Sequence, residues 1–138
     1  MIKRILMAYD GSAPADKAYA FAMDLAKKYG AELIVLAVSR PPDFADDVEM
    51  EAVLENSTKH YENLLSNLKP QAAAQGINAR FEIVVGHPAE QILYYAEQNE
   101  ADHIVMGHRG KTFFQRWRLG SVSKQVIHYA LCAVTVIR

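Results

Sequence analysis

The chain has little cysteine and no long apolar run. Cys132 is the only cysteine among 138 residues, so no disulfide can form within the chain, and a reducing cytosol is the expected setting. No hydrophobic run reaches the roughly 20 residues of a membrane-spanning helix. Residues 1–4 lead straight into a strand-like stretch, so no signal peptide is expected. We therefore expect a cytoplasmic protein that has no membrane partner.

Motifs of several enzyme classes are also missing. The sequence contains no G-x-S-x-G nucleophile elbow. Its five histidines and single cysteine have no C-x-x-C or H-x3-H spacing, so a zinc site is not expected. A Walker A loop ending at Gly110 and Lys111 would need a glycine at position 105, which is Val105. A dinucleotide fingerprint is absent as well, because Asp10 and Gly11 follow the first strand where a G-x-G-x-x-G motif would begin.

Acidic residues are absent from the last 36 positions, after Asp102. That segment contains six cationic residues, namely Arg109, Lys111, Arg116, Arg118, Lys124 and Arg138. It therefore carries +6, and the net charge of −1 leaves −7 for the first 102 residues. A positive segment favours an anionic ligand. The aromatic residues Phe113, Phe114 and Trp117 lie among these cations and make nucleic acid the competing interpretation, which we rank below a nucleotide because the patch is short.

A glycine-rich stretch follows the apolar positions 104–106 and precedes a helical pattern. Its glycines and a serine have the spacing Gly107-x2-Gly110-x9-Gly120-Ser121. Glycine lets backbone N–H groups come close to a ligand and adopts backbone angles that other residues avoid. Ser121 is a good N-cap, and the N-terminus of a helix attracts anions. The spacing predicts a phosphate-binding loop; the alternative is a strand-to-helix turn without a ligand.

This spacing resembles the nucleotide loop of the universal stress protein family in its ATP-binding branch, and the resemblance extends over residues 3–138. It implies one domain, residues 1–138, with an α/β fold of the Rossmann-like (adenine nucleotide alpha hydrolase-like) type. Alternating strands and helices predict a parallel sheet with helices on both faces. The strand order 3-2-1-4-5 of five strands is implied by the resemblance alone. Residues 130–134 lack both prolines of the family's frequent Ala-Pro-Cys-Pro-Val pattern, which leaves the geometry of that turn open.

A ligand site is expected at the carboxyl ends of the strands, where open α/β sheets bind ligands. Asp10 ends the first strand and could contact an adenosine group or hold the Mg²⁺ of ATP; the alternative is an Asx-turn with Ser12. The resemblance implies that Val38 meets adenine through its backbone. The full set of ATP-binding residues that it implies is Ala8, Asp10, Val38, Met106, Gly107, Arg109, Gly110, Lys111, Gly120, Ser121, Val122 and Ser123.

The leading hypothesis from the sequence is a cytoplasmic universal stress protein that binds ATP, with Mg²⁺, as a regulatory signal. The resemblance also implies a homodimer through the C-terminal strand, residues 133–138, an apolar and β-branched segment at the sheet edge. The alternatives are a slow ATPase or phosphotransferase that needs a partner, and an interaction protein that works without nucleotide. No catalytic residue is assigned, and His108 is interpreted as filling a variable loop position rather than orienting a water. Neither a nucleic acid nor a membrane partner is expected.

Overall fold

The computed structural model describes residues 1–41, 46–108 and 119–138, in which strands and helices alternate. The strands are β1 (Arg4–Ala8), β2 (Glu32–Ser39), β3 (Ala79–Val85), β4 (His103–Gly107) and β5 (Ala133–Ile137). The helices of the described part are α1 (Ala13–Tyr29), α2 (Asp47–Ala74), α3 (Pro88–Gln98) and α4 (Ser121–Tyr129). None of these helices is both long and apolar enough to span a lipid bilayer.

The five strands form one sheet in the order β3-β2-β1-β4-β5, and every pair of neighbours is parallel. The predicted fold class and strand order are therefore confirmed. The order reverses between β1 and β4, because the chain first builds outward through β2 and β3 and then returns to the other side of β1. Ligand sites of open α/β sheets lie at such a reversal, beyond the carboxyl ends of the strands.

Local signals in the sequence account for the first helix and the second strand. Ser12 has extended backbone angles and caps α1, with the backbone N–H of Ala15 donating to its hydroxyl at 3.2 Å. Gly30 ends the helix in the left-handed region at φ 62°, where glycine is favoured. The uninterrupted apolar run in β2 gives five consecutive buried residues, 33–37, as a strand covered on both faces requires.

Two hydrophobic cores lie on the two faces of the sheet. The first contains the buried side chains of β1 and β2 at odd positions, together with α1 and the second half of α2. The second contains those at even positions, together with α3 and α4. Successive side chains of a strand point to opposite faces of the sheet. Odd or even position therefore tells whether a residue near the end of β1 or β2 points toward α1 and α2 or toward α3 and α4.

One local prediction is corrected by the structure. The N-cap of α4 is Gly120, with φ −62° and ψ 159°, and Ser121 is the first helical residue rather than the cap. Gly120 has no side chain that could accept a capping hydrogen bond. The N–H groups of the first turn of α4 therefore have no acceptor on the cap residue's side chain. Pro70 lies within α2, which continues to Ala74.

Candidate functional site

A cavity of about 410 Å³ opens at the carboxyl ends of β1, β2 and β4, where the strand order reverses. It also borders the N-terminal turns of α3 and α4 and one face of α2. The lining residues are Ala8, Tyr9, Asp10, Leu36, Val38, Arg40, Ser57, Tyr61, Pro88, Ile92, Met106, Gly107, Gly120, Ser121, Val122 and Ser123. Its volume is in the range of small-molecule sites, about 300–1,000 Å³.

One side of the cavity is apolar and lies on the sheet face of α3 and α4. Leu36 and Ile92 are buried in the second core, and Val38 packs against it. Pro88 begins α3, and Met106 of β4, which belongs to the same core, also lines the cavity. A flat apolar group such as a nucleobase can lie here, with the backbone at the end of β2 available for its polar edge.

Asp10 forms the turn that connects β1 to α1. Its Oδ1 accepts hydrogen bonds from the backbone N–H of Ser12 at 3.0 Å and from the Ser12 hydroxyl at 2.6 Å. The Ser12 hydroxyl in turn accepts from the N–H of Ala15. The Asx-turn proposed as one role of Asp10 is therefore present, and the same residue lines the cavity.

Gly107 is required by packing at the end of β4. A Cβ atom added there would lie 2.6 Å from the backbone carbon of Pro14 and 2.7 Å from the backbone nitrogen of Ala15. These are backbone atoms of the first turn of α1, so a side chain could be admitted only if the helix moved. The glycine predicted for phosphate approach thus has a second reason to be glycine, which is the contact between α1 and β4.

The N-terminus of α4 forms the polar end of the cavity. Gly120, Ser121, Val122 and Ser123 all line it, and Ser123 is buried. The first N–H groups of a helix have no partner within the helix and carry the positive end of its dipole. Together with two serine hydroxyls, this end of the cavity suits an anionic group such as phosphate.

Four polar residues that line the cavity have no counterpart in the sequence motif. Tyr9 donates from its hydroxyl to Asp16 Oδ1 at 2.5 Å, and burial followed by that carboxylate raises the pKa of Tyr9 above its ordinary value. Ser57 and Tyr61 come from α2, and Arg40 follows the end of β2. Only the packing of α2 across the strand ends brings Ser57 and Tyr61 here, and no local pattern in the sequence indicates it.

Nine of the twelve residues implied for ATP line this one cavity. They are Ala8, Asp10, Val38, Met106, Gly107, Gly120, Ser121, Val122 and Ser123. The other three, Arg109, Gly110 and Lys111, lie outside the described residues. Asp10 is the only carboxylate among the lining residues that the structure describes.

The histidines differ in their surroundings. His108 follows β4, is only 3% exposed, and its backbone N–H donates to the carbonyl of Ile137. Its interpretation as a variable loop position stays a prediction. His103 Nε2 lies 2.6 Å from Thr135 Oγ1 across β4 and β5, and burial lowers the pKa of His103 below its ordinary value. Within the described part of the chain, no group of three or more His, Cys, Asp or Glu side chains could hold a metal ion.

Comparisons with known proteins point to one family. The model of the universal stress protein family matches residues 1–138. A universal stress protein of Bacillus subtilis is 33% identical over 153 residues, and the alignment covers 100% of both chains. A universal stress protein structure from Lactobacillus plantarum has a TM-score of 0.91 at 28% identity, covering 99% of this chain and 98% of that one. Another, from Archaeoglobus fulgidus in complex with dAMP, shares the fold with a TM-score of 0.75 at 23% identity, covering 100% of both chains.

Proposed function

Since this chain belongs to the universal stress protein family, we propose that it binds ATP in the cavity at the carboxyl ends of β1, β2 and β4. The observation that carries the proposal is the convergence of the predicted residues. Nine residues from separate segments of the chain, which the family resemblance implies for ATP, border one cavity at the reversal of strand order. The family member that holds dAMP supports an adenine nucleotide as the ligand class.

The two ends of the cavity match the two ends of a nucleotide. Adenine would lie on the apolar wall of Leu36, Ile92 and Pro88, with its polar edge at the backbone of Val38. The phosphates would lie at the N-terminus of α4, where backbone N–H groups and the hydroxyl of Ser121 can donate to them. In this orientation the ribose lies between them, beside Asp10.

The remaining three predicted residues belong to the same proposal on sequence grounds. Arg109 and Lys111 would add positive charge to the phosphate end, and Gly110 would allow close approach of the backbone. Mg²⁺ bound with ATP takes most of its ligands from phosphates and water, so one protein carboxylate is a sufficient complement. Asp10 is the candidate for that ligand.

The proposed role is that of a cytosolic nucleotide sensor that acts as a homodimer. ATP would be a regulatory ligand whose occupancy changes what the protein contacts, rather than a substrate turned over rapidly. The dimer is proposed through β5, which is an edge strand of the sheet and so presents one unpaired row of backbone groups.

The experiment is mass spectrometry of the protein purified under native conditions, combined with an assay of phosphate release. We expect ATP to be carried through purification and to be released as phosphate far more slowly than the ordinary enzyme range of about 1–10³ per second. Turnover within that range would assign the protein to the enzymes. Absence of any adenine nucleotide, with no uptake of added ATP, would contradict the proposal.

A further inference from the structure

One wall of the cavity lies away from the positions proposed above for the base and the phosphates. Ser57 and Tyr61 face the cavity from α2, on the sheet side opposite to α3 and α4. They lie one turn of the helix apart, at i and i+4, so they belong to the same stripe. We refer to these two residues as the α2 wall.

Two contacts fix the α2 wall against the strand ends. The hydroxyl of Ser57 lies 2.6 Å from the hydroxyl of Ser39, which ends β2 and is 0% exposed. Three residues beyond Tyr61, the side chain of Leu64 covers Gly11, where an added Cβ would lie 2.8 Å from Leu64 Cδ1. The stripe thus runs from the end of β2 to the turn after β1, and that turn contains Asp10.

The stereochemistry of a nucleotide determines what this wall would meet. In a ribonucleotide the base and the 5′ carbon that carries the phosphates project from the same face of the ribose ring, whereas the 2′ and 3′ hydroxyls project from the opposite face. The proposed base and phosphate positions both lie toward α3 and α4. The hydroxyl edge of the sugar must therefore point toward the α2 wall.

Resting on the proposed function, we propose that Ser57 hydrogen-bonds a ribose hydroxyl and makes the site select ribonucleotides over deoxyribonucleotides. Ser57 touches the ligand, and Ser39 is a positioning residue that restricts the Ser57 hydroxyl to one direction. A serine hydroxyl has one donor and two acceptor positions, so Ser57 can bond Ser39 and a sugar hydroxyl at once. A sugar that lacks the bonded hydroxyl leaves Ser57 without that partner, which costs affinity.

The test measures the binding of three ligands by calorimetry, namely ATP, 2′-deoxy-ATP and 3′-deoxy-ATP. The parent should bind ATP about three- to tenfold more tightly than at least one deoxy analogue, as expected for one neutral hydrogen bond. Ser57→Ala should weaken the binding of ATP by the same factor and leave the affinity for that analogue unchanged. The variant would then no longer discriminate between the two ligands. Ser57→Thr, which keeps the hydroxyl, should retain the discrimination. Ser39→Ala should reduce the discrimination partially, which is a change that a purely structural role would not produce.

Ser66→Ala is the matched control, because Ser66 lies on the same helix and donates to its own helix at the carbonyl of Glu62. It should leave all three affinities unchanged. If Ser57→Ala lowers the affinity for all three nucleotides equally, or for none of them, the assignment of Ser57 to a ribose hydroxyl is overturned. A parent that binds all three equally would overturn the ribose assignment alone. A parent that binds none of them would overturn the proposed function itself.

Discussion

At the scale of single residues, Gly107 shows how a motif glycine can serve the fold as well as a ligand. Its backbone is not in the left-handed region, so its need for glycine is steric. Gly107→Ala would force the Cβ against backbone atoms of Pro14 and Ala15, which cannot rotate away as a flexible side chain can. We expect a loss of about 1–3 kcal/mol in the free energy of unfolding, measured by chemical denaturation without nucleotide.

A control for this prediction is available at the end of α1. Gly30 has φ +62° and no atom within 4 Å of an added Cβ, so its constraint is conformational only. After glycine, asparagine is the residue that occurs most readily in the left-handed region at a helix end. Gly30→Asn should therefore lower the free energy of unfolding by less than Gly107→Ala does. Equal stability of Gly107→Ala and the parent would show that α1 does not need this close contact.

His103 provides a prediction about pH. Burial lowers its pKa below the ordinary value of 6.5, so the unfolded chain binds this proton at a higher pH than the folded chain does. A depressed pKa contributes stability that is present above the unfolded value and lost as the pH falls through the folded one. The free energy of unfolding should therefore decrease as the pH is lowered below about 6.5.

His103→Gln, which can still bond Thr135, should flatten that part of the pH dependence. The exposed His128 offers the matched change, His128→Gln. The two variants and the parent are compared by urea denaturation from pH 7.5 to pH 5. The same slope for His103→Gln and the parent would contradict the role given to burial of this ring.

At the scale of elements, the edge strand β5 carries the prediction of a homodimer. The carbonyl of Ile137 accepts from the N–H of His108, so the backbone of Ile137 faces β4. The backbone groups of successive residues in a strand point to alternate sides, so the N–H of Val136 faces the open edge. Val136→Pro removes an N–H that the sheet does not use, while it removes a donor that an antiparallel partner strand would need.

Sedimentation equilibrium should show a dimer for the parent and a shift toward monomer for folded Val136→Pro. Thr135→Pro is the contrasting variant, since its N–H faces β4, and it should destabilise the sheet itself. Circular dichroism separates loss of the dimer from loss of the sheet, because only the second changes the secondary-structure signal. A parent that remains monomeric at tens of micromolar would contradict the dimer.

The elements also show what the sequence could and could not predict. The apolar run of β2 and the cap at Ser12 follow from local signals, namely an uninterrupted apolar stretch and a serine just before the helix. The N-cap of α4 was misplaced by one residue, because Gly120 takes the extended angles of a cap without any side-chain acceptor to signal it. The α2 wall could not be predicted, because its place at the cavity depends on Leu64 packing over Gly11, a contact between distant segments.

At the scale of the whole molecule, the sheet order places one apolar wall, one helix N-terminus and one carboxylate around a single cavity. The fold alone would allow other ligands, since function depends on the site rather than on the architecture. Binding of ATP must therefore be measured on this cavity itself. Each part of the proposed ATP site depends on groups that reach the strand ends from separate helices and strands.

Calorimetric titration with ATP and Mg²⁺ measures this binding in the parent, Ser121→Ala and Ser66→Ala. We predict one site per chain for the parent. Ser121→Ala should weaken binding roughly ten- to a hundredfold, because it removes a hydrogen bond to a charged group worth about 1.5–3 kcal/mol. Ser66→Ala, on the outer side of α2, should bind as the parent does. No binding by the parent, or equal affinities for Ser121→Ala and the parent, would rule out the proposed ATP site at the N-terminus of α4.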